Sequence, residues 1–305
     1  GYVQIIKART MKIVIAGGTG LVGRRLQTLL KQKQAEIIIL TSSGDNKVED
    51  DVRYVKWMDG TIPDGLEEAT AFINLAGVSL NAGRWTPKQK EKILSSRINS
   101  TNEIIRIMQS LKNKPSVFIN ASAVGIYKPS DKDVYTEQHE VNVTDFLNDV
   151  VSKWEHASAQ ANNLGIRTCY MRFGVILEKK AGALPLMLLP YQLFVGGTIG
   201  SGNQWVSWIH AEDAARAILY AVEQELLSGP INTVSPNPLR MRDFGKCIAE
   251  VYNRPHFFPV PSALLKLVLG EKSMLILEGH YVVPEKLVEL GFTFKFSTLQ
   301  DALRD

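Results

Sequence analysis

Cysteine and histidine are scarce in this chain of 305 residues, which limits the kinds of site it can build. Its two cysteines, Cys169 and Cys247, each stand alone in an apolar segment, and no Cys-x-x-Cys pair occurs. This usage favours neither a disulfide framework nor a zinc site, and it fits a reducing cytoplasm. The five histidines are scattered without the spacing of metal ligands. We therefore expect no bound metal.

Long apolar runs are also missing. The longest apolar stretch, residues 183–195, is interrupted by Pro185 and Pro190. It is shorter than the roughly 20 residues that a helix needs to span a bilayer. We expect no membrane-spanning segment.

Neither sign of charge dominates, since 35 Lys and Arg stand against 31 Asp and Glu. Residues 1–10, interpreted as an N-terminal extension ahead of Met11, carry Lys7 and Arg9, so the remaining chain is close to neutral. Such a balance gives no reason to expect a nucleic-acid partner. The extension also lacks the pattern of a signal peptide, which again predicts a cytoplasmic protein.

Short β-rich runs alternate with amphipathic helical patterns along the first half of the chain. The predicted strands are residues 12–16, 36–40, 53–56, 71–75, 116–121 and 166–173, and the helices between them are 21–33, 88–111 and 143–163. This order predicts an α/β fold with a doubly wound parallel sheet. Several strands are continuous apolar runs, as expected when helices cover both faces of the sheet.

The glycine-rich turn after the first predicted strand reads Gly17-x-x-Gly20-x-x-Gly23 and leads directly into a helix. Residues without a Cβ let backbone N–H groups and the helix N-terminus approach a pyrophosphate. The order of strand, glycines and helix favours a dinucleotide site over a merely structural turn. The residues expected to bind the cofactor here are Gly17, Thr19, Gly20, Leu21, Val22 and Gly23.

The end of the second predicted strand decides the choice of cofactor, because an acidic residue there would bind the 2′-hydroxyl of NAD. The chain has Thr41 and Ser42 at this place, with no carboxylate before Asp45. We therefore predict NADP(H) rather than NAD(H), with Thr41 and Ser42 among the contacts. Basic residues that would tolerate a 2′-phosphate are Arg24, Arg25 and Lys47, although the arginines are alternatively plain solvated helix residues.

The chain beyond Gly174 changes character, because glycine and proline interrupt it repeatedly. We expect a loop over a cleft, followed by helices at residues 211–225, 241–252 and 262–269. The predicted organisation is an extension (1–10), a Rossmann-type dinucleotide-binding core (11–177) and a mixed segment (178–305). That segment would hold the cleft loop, a helix returning to the core and a smaller C-terminal substrate lobe.

From Met11 onward the chain resembles an atypical group of extended short-chain dehydrogenases/reductases, the epimerase-family proteins, which are NAD-dependent epimerase/dehydratase-like and sometimes labelled cell division inhibitors. The motifs that carry this resemblance are the glycine loop, residues 74–77 (NLAG), 84–86 (RWT), 96–101 (SRINST), 121–125 (ASAVG), 153–155 (KWE), 172–177 (RFGVIL) and 204–213 (QWVSWIHAED). The resemblance implies that Leu75, Ala76, Gly77 and Arg97 also contact the cofactor.

The same resemblance implies a catalytic hydroxyl at Ser122 and a lysine at Lys153 that contacts the cofactor ribose. A tyrosine normally stands four residues before that lysine, but here the residue is Asp149, so the triad is incomplete. Tyr127 is the substitute phenol that we consider. The simpler alternatives are a turn serine, a solvent-facing lysine and a tyrosine that lines the pocket wall.

Gln204, Trp205 and Trp208 resemble the substrate-side wall of the extended enzymes, although tryptophans at this spacing are equally typical of a core. His210 and Asp213 are better interpreted as residues that start a helix. The leading hypothesis is an NADP(H)-dependent oxidoreductase or epimerase-like enzyme acting on a small polar carbonyl or hydroxyl compound, for which a nucleotide sugar is one option. The alternative is a non-catalytic NADP(H)-binding regulatory or division-associated interaction protein. A homodimer is also considered.

Overall fold

The structure is a computed structural model, and it describes residues 10–305. The predicted N-terminal extension therefore lies, apart from Thr10, outside the described residues. In chain order the strands are β1 (Lys12–Ala16), β2 (Glu36–Thr41), β3 (Lys47–Glu49), β4 (Val52–Lys56), β5 (Ala71–Asn74), β6 (Val117–Ala123), β7 (Val134–Tyr135), β8 (Arg167–Phe173), β9 (Val175–Glu178), β10 (Ala181–Gly182), β11 (Trp205–Val206), β12 (Trp208–His210), β13 (Gly229–Thr233), β14 (Leu239–Arg240) and β15 (Tyr281–Val282).

The helices alternate with these strands, and short 3₁₀ turns follow β6 and extend the third helix. In chain order they are α1 (Leu21–Gln32), α2 (Pro87–Ser110), α3 (Phe146–Ser158), α4 (Ala183–Gln192), α5 (Ala211–Glu223), α6 (Met241–Tyr252), α7 (Ser262–Leu269), α8 (Met274–Leu277), α9 (Glu285–Glu289) and α10 (Leu299–Arg304). Within the described residues, no helix is both long enough and apolar enough to cross a membrane.

The main sheet runs in the order β13-β8-β6-β5-β1-β2-β4-β3 within residues 10–305. Its strands pair in parallel, except that β3 lies antiparallel to β4 at one edge. Helices α1 and α5 pack on one face, and α2 and α3 pack together on the other. The α/β fold with a doubly wound parallel sheet is thus confirmed.

Two features of the second half of the chain differ from the sequence prediction. Where a loop was expected, residues 183–192 form α4. Pro185 lies in its first turn, where the helix does not need the N–H, whereas Pro190 lies inside the helix, near its C-terminal end. The chain then returns to the main sheet as the edge strand β13, which the sequence did not reveal. Its Pro230 is tolerated at a sheet edge, where no further strand needs a donor.

The C-terminal segment has a hydrophobic cluster of its own. Side chains of α4, α6 and α10 pack there around Trp208 and Phe244, both fully buried. Asp213, near the start of α5, connects this segment to α5 by accepting hydrogen bonds from the backbone N–H groups of Lys295 and Phe296, at 2.9 and 2.8 Å. His210 caps α5 by accepting from the N–H of Glu212, which confirms it as a helix-start residue.

Candidate functional site

The carboxyl ends of the parallel strands share one edge of the sheet, and the loops that follow them define a groove. Along this edge the order is Thr41 at the end of β2, the glycine loop after β1, Gly77 after β5, Ala123 at the end of β6 and Gly174 after β8. The chain winds outward in opposite directions from β1 and β5. In open α/β sheets, ligands bind at such a switch point.

The three glycines of the loop are required for three different reasons. Gly17 has φ +74°, and a Cβ there would lie 2.6 Å from the carbonyl carbon of Leu75. A Cβ on Gly23 would lie 2.5 Å from the carbonyl oxygen of Gly18, so this glycine lets the helix pack against the loop. A Cβ on Gly20 would meet only the carbonyl oxygen of Gly17, at 3.6 Å. The space beside Gly20 is therefore open, as an approaching phosphate requires.

The N-terminus of α1 is built to receive an anion. Gly20 is its N-cap residue, so no side chain caps the helix, and the first turn carries no acidic residue. Its free N–H groups and the positive end of the helix dipole face the open space beside Gly20. Thr19 is exposed and Leu21 half-buried, whereas the Val22 side chain is buried and leaves only its backbone for a ligand.

The end of β2 presents hydroxyl groups. The Thr41 hydroxyl donates to the carbonyl oxygen of Ser43 at 2.9 Å, while Ser42 and Ser43 are exposed. Of the basic residues considered for a 2′-phosphate, Arg25 is held by Glu178 and Glu212 and Lys47 pairs with Glu49.

Arg24 has different surroundings from the other two basic residues. It is exposed beside the glycine loop, where its Nε donates to the carbonyl oxygen of Thr19 at 2.8 Å. Within the described part of the chain it forms no ion pair with a carboxylate.

The turn after β5 brings Arg97 of α2 to the groove. Leu75 and Ala76 are half-buried, and the N–H of Ala76 donates to Asn74 Oδ1 at 3.1 Å. A Cβ on Gly77 would lie 3.2 Å from the Arg97 Cγ and Cζ, so the glycine leaves room for the guanidinium. The predicted cofactor residues at this turn therefore lie together.

Ser122 is buried and already has a hydrogen-bond partner. Its hydroxyl donates to Glu155 Oε2 of α3 at 2.5 Å, and Glu155 in turn forms a bidentate ion pair with Arg172 of β8, with both N–O distances at 2.8 Å. Although burial would lower the pKa of the guanidinium, the hydrogen bonds and charge of Glu155 raise it. Ser122 thus belongs to a buried network that ties α3 to the sheet.

Tyr127 extends the same network to Asn232 of β13. Its hydroxyl donates to Asn232 Oδ1 at 2.6 Å and accepts from Arg172 Nη1 at 2.9 Å. The ring is buried and stacks on Tyr135. Burial raises the pKa of this phenol, which keeps it protonated. In this geometry the phenol is fixed inside the protein.

Lys153 and Asp149 lie on the solvent side of α3. The Lys153 ammonium is exposed and pairs with Asp149 Oδ2 at 3.0 Å, whereas the buried face of the helix carries Val151, Trp154 and Glu155. Among the described residues, Lys153 forms no hydrogen bond with Ser122 or Tyr127, whose partners are Glu155, Asn232 and Arg172. Asp149 is half-exposed, and the ion pair with Lys153 is its contact with a basic side chain.

The predicted substrate wall is mostly core. Trp208 has no exposed surface, and its indole N–H donates to the carbonyl oxygen of Asn237. The Gln204 amide is buried and donates to the carbonyl oxygens of Ile199 and Ile276. Both side chains are therefore part of the packed interior in this arrangement, and their contact with a substrate stays a prediction. Trp205 remains half-exposed, with its ring against the Arg240 guanidinium.

Sequence reasoning missed the Glu155–Arg172 pair. A signal was present, since an arginine inside the apolar strand Arg167–Phe173 requires a buried partner.

Both cysteines are buried thiols, and burial raises the pKa of each to about 11. No group of metal-ligating side chains is found among residues 10–305.

Comparison with known proteins agrees with this geometry. Residues 13–232 match the model of the NAD dependent epimerase/dehydratase family, and residues 260–305 match a domain of unknown function, DUF1731. The chain is 46% identical to the epimerase family protein YfhF of Bacillus subtilis over 295 residues, which are 96% of this chain and 97% of that protein.

Solved structures agree as well. The crystal structure of the human epimerase family protein SDR39U1 with NADPH superposes with a TM-score of 0.88 at 29% identity, over 96% of this chain and 98% of that one. UDP-glucuronic acid 4-epimerase from Bacillus cereus, with UDP-glucuronic acid and NAD, superposes with a TM-score of 0.74 at 15% identity, over 96% and 97% of the two chains. This second likeness concerns the fold alone.

Proposed function

Because the chain belongs to the NAD dependent epimerase/dehydratase family, we propose that it binds NADP(H) across the groove at the carboxyl edge of its sheet. It then acts as an NADP(H)-dependent oxidoreductase or epimerase-like protein on a small polar carbonyl or hydroxyl compound. That substrate would lie between the core and the C-terminal segment.

The observation that carries the proposal is the glycine loop. The N-terminus of α1 has no capping side chain, no acid in its first turn and open space beside Gly20. These properties suit the pyrophosphate of a dinucleotide. Thr19 and the backbone of Leu21 and Val22 would complete its surroundings.

The preference for NADP(H) rests on the end of β2. Thr41 and Ser42 present hydroxyl groups there, and the exposed Arg24 lies beside the glycine loop without a carboxylate partner in residues 10–305. A guanidinium suits a 2′-phosphate, whereas a carboxylate would repel it. The NADPH in the human relative's crystal structure supports the same preference.

The bound cofactor would supply hydride transfer, and the residues of this chain would bind and orient it. Leu75, Ala76 and Gly77 would line the groove beyond the glycine loop. The Ser122–Glu155 contact would act by positioning, because it fixes α3 against the end of β6. A proton for the reaction would come from water or from the substrate-side segment, since the Tyr127 phenol is fixed by Arg172 and Asn232.

A second candidate function has its own supporting observation. Ser122 and Tyr127 are hydrogen-bonded to Glu155 and Arg172, and Lys153 is exposed and paired with Asp149, so these three side chains form no hydrogen bonds with one another among the described residues. This arrangement favours a regulatory protein that binds NADP(H) without turning over a substrate. Both candidates share the cofactor site and differ only in turnover.

The test combines a fluorescence titration with a turnover assay. We expect NADPH to bind more tightly than NADH, and tenfold tighter NADH binding, about 1.4 kcal/mol in the opposite sense, would refute the cofactor assignment. Oxidation of NADPH is then followed with a broad panel of small carbonyl compounds. Turnover supports the enzyme, and tight NADPH binding without turnover on the whole panel supports the regulatory protein.

A further inference from the structure

Exposed hydrophobic side chains are concentrated in one part of the C-terminal segment. Seventeen large hydrophobic side chains are exposed among the described residues, and ten of them lie in residues 186–195 and 257–268. The two stretches are neighbours, because the N–H groups of Phe257 and Phe258 both donate to the carbonyl oxygen of Gly196, at 2.9 and 3.1 Å. Single exposed side chains are ordinary, whereas a contiguous group is typical of a surface that binds a protein or a membrane.

The centre of this surface is the apolar patch, which consists of Leu193, Phe194, Val195, Phe257 and Phe258. Its side chains are between 46% and 80% exposed. Leu186 and Leu189 on α4 are exposed as well. They precede Leu193 by seven and four positions, so the three leucines lie on one side of the chain's helical path and extend the patch along α4.

Phe194 is presented to solvent at a conformational cost. Helix α4 ends in a Schellman motif, since the N–H of Phe194 donates to the carbonyl oxygen of Tyr191 at 3.0 Å and the next N–H donates to that of Pro190 at 2.8 Å. Phe194 occupies the left-handed position of this motif, with φ +63°, where glycine is usual. Burial does not compensate for this strain, because the residue is 55% exposed. Strain of this kind at an exposed aromatic residue favours a functional role.

Charge decides which partner fits the patch. Residues 179–211 and 251–270 contain no aspartate or glutamate, and their charged side chains at neutral pH are Lys179, Lys180, Arg254 and Lys266. The Arg254 guanidinium lies over the Phe194 ring, 4.5 Å from its centroid. A second copy of the chain, docked face to face, would bring these cations together, whereas an anionic surface would attract them.

Helix α7 repeats the combination of apolar and cationic side chains. None of its residues is buried. Leu264, Leu267 and Val268 are exposed and lie on one side of the helix, and at about 100° per residue Lys266 lies on the opposite side. Amphipathic helices of this composition lie in the plane of a membrane surface, where their cations are attracted by anionic headgroups.

We propose that the apolar patch is a docking surface for an anionic membrane, on which the protein adsorbs without spanning the bilayer. Phe194 and Phe257 enter the boundary between headgroups and acyl chains, and Arg254 and Lys266 meet the lipid phosphates. The partner is thus an array of phosphate-bearing headgroups above hydrocarbon. This inference is independent of the cofactor site, because it uses none of the residues of the groove.

The experiment measures binding of the full chain to lipid vesicles by co-sedimentation. One set of vesicles is pure phosphatidylcholine, and the other is made of equal parts of phosphatidylcholine and phosphatidylglycerol. The wild type is compared with the double variant Phe194→Ser/Phe257→Ser. The matched control is Leu226→Ser, because Leu226 is 74% exposed but lies outside both stretches. Thermal melting establishes that each variant is folded.

We expect the wild type to bind the anionic vesicles roughly tenfold more tightly than the neutral ones. The double variant should bind the anionic vesicles at least roughly tenfold more weakly, since burial of one phenylalanine ring alone corresponds to about that factor. Leu226→Ser should bind like the wild type. Salt should weaken binding between about 0.1 and 1 M, because the Debye length falls from about 10 to about 3 Å. Phe257→Ser, at a residue that is 80% exposed, decides the matter if the double variant fails to fold.

Four results would overturn the docking surface. The wild type could stay in the supernatant with both kinds of vesicle, which would leave a partner protein as the occupant. Equal binding to neutral and anionic vesicles would refute the charge argument. A folded double variant that binds like the wild type would show that the patch does not contact lipid. A wild-type dimer that becomes a monomer in the double variant, measured by sedimentation velocity, would assign the patch to a second copy of this chain.

Discussion

Substitution of Gly20 by alanine should weaken nucleotide binding and leave the fold nearly as stable as in the wild type. The new methyl group would lie 3.6 Å from the carbonyl oxygen of Gly17, an ordinary contact, and the backbone at φ −77° accepts any residue. We therefore expect the free energy of unfolding to change by no more than about 1 kcal/mol. The methyl group would nevertheless occupy the space through which a pyrophosphate approaches the N–H groups of α1.

The expected loss of affinity for NADPH follows if the methyl group keeps the pyrophosphate from one of these N–H groups. One hydrogen bond to a charged group contributes about 1.5–3 kcal/mol. Its loss corresponds to a rise of roughly 10- to 150-fold in the NADPH dissociation constant. Fluorescence titration measures this change, and urea denaturation measures stability on the same samples.

Two neighbouring glycines provide controls for stability, because their substitution should destabilise the fold. In Gly23→Ala the Cβ would lie 2.5 Å from the Gly18 carbonyl oxygen, and overpacking of this kind costs about 1–3 kcal/mol. Gly17→Ala adds the strain of a positive φ, about 1–2 kcal/mol more. Wild-type NADPH affinity in Gly20→Ala would refute the phosphate site. A Gly23→Ala protein as stable as Gly20→Ala would refute the packing argument.

Arg24→Ala should weaken NADPH binding about tenfold and leave NADH binding unchanged, because only NADPH carries the 2′-phosphate; equal effects on the two cofactors in parallel titrations would contradict this. Glu155→Gln leaves the buried Arg172 guanidinium without its counter-charge, so urea denaturation should show that the free energy of unfolding falls by about 3–5 kcal/mol. A decrease below about 1 kcal/mol would show that the network does not stabilise the fold. Asp149→Ala and Lys153→Ala should each change stability by less than about 0.5 kcal/mol, as is usual for an exposed pair, with unchanged NADPH affinity. A tenfold weaker affinity in Lys153→Ala would instead support the ribose contact that the family resemblance implies.

Local sequence patterns were sufficient for the parts of this protein that depend on neighbouring residues. Continuous apolar runs predicted β1 and β2 to within one residue, because strands buried on both faces need no alternation. The spacing of Gly17, Gly20 and Gly23 predicted a phosphate loop, since the strand, the turn and the helix that they join follow one another directly in the chain. The sequence likewise shows directly that no carboxylate stands between the end of β2 and Asp45.

Contacts between distant residues were beyond these patterns. Ser122 meets Glu155 across 33 positions, and Tyr127 meets Asn232 across 105, on a strand that the sequence did not reveal. A short segment of mixed polarity such as β13 joins the sheet only because β8 offers a free edge. Its pairing is therefore decided by the assembled sheet and not by its own residues.

The third helix shows most clearly where sequence reasoning ends. Lys153 and Glu155 stand two positions apart, and at about 100° per residue they point to opposite sides of a helix. The sequence placed both on α3 but did not say which side would meet the end of β6. Packing turned Trp154 and Glu155 inward, where Arg172 neutralises the carboxylate, and left Lys153 in water. The sequence thus determined the cofactor loop, whereas tertiary packing decided which charged groups surround the groove, because a charge is buried only where the fold supplies its partner.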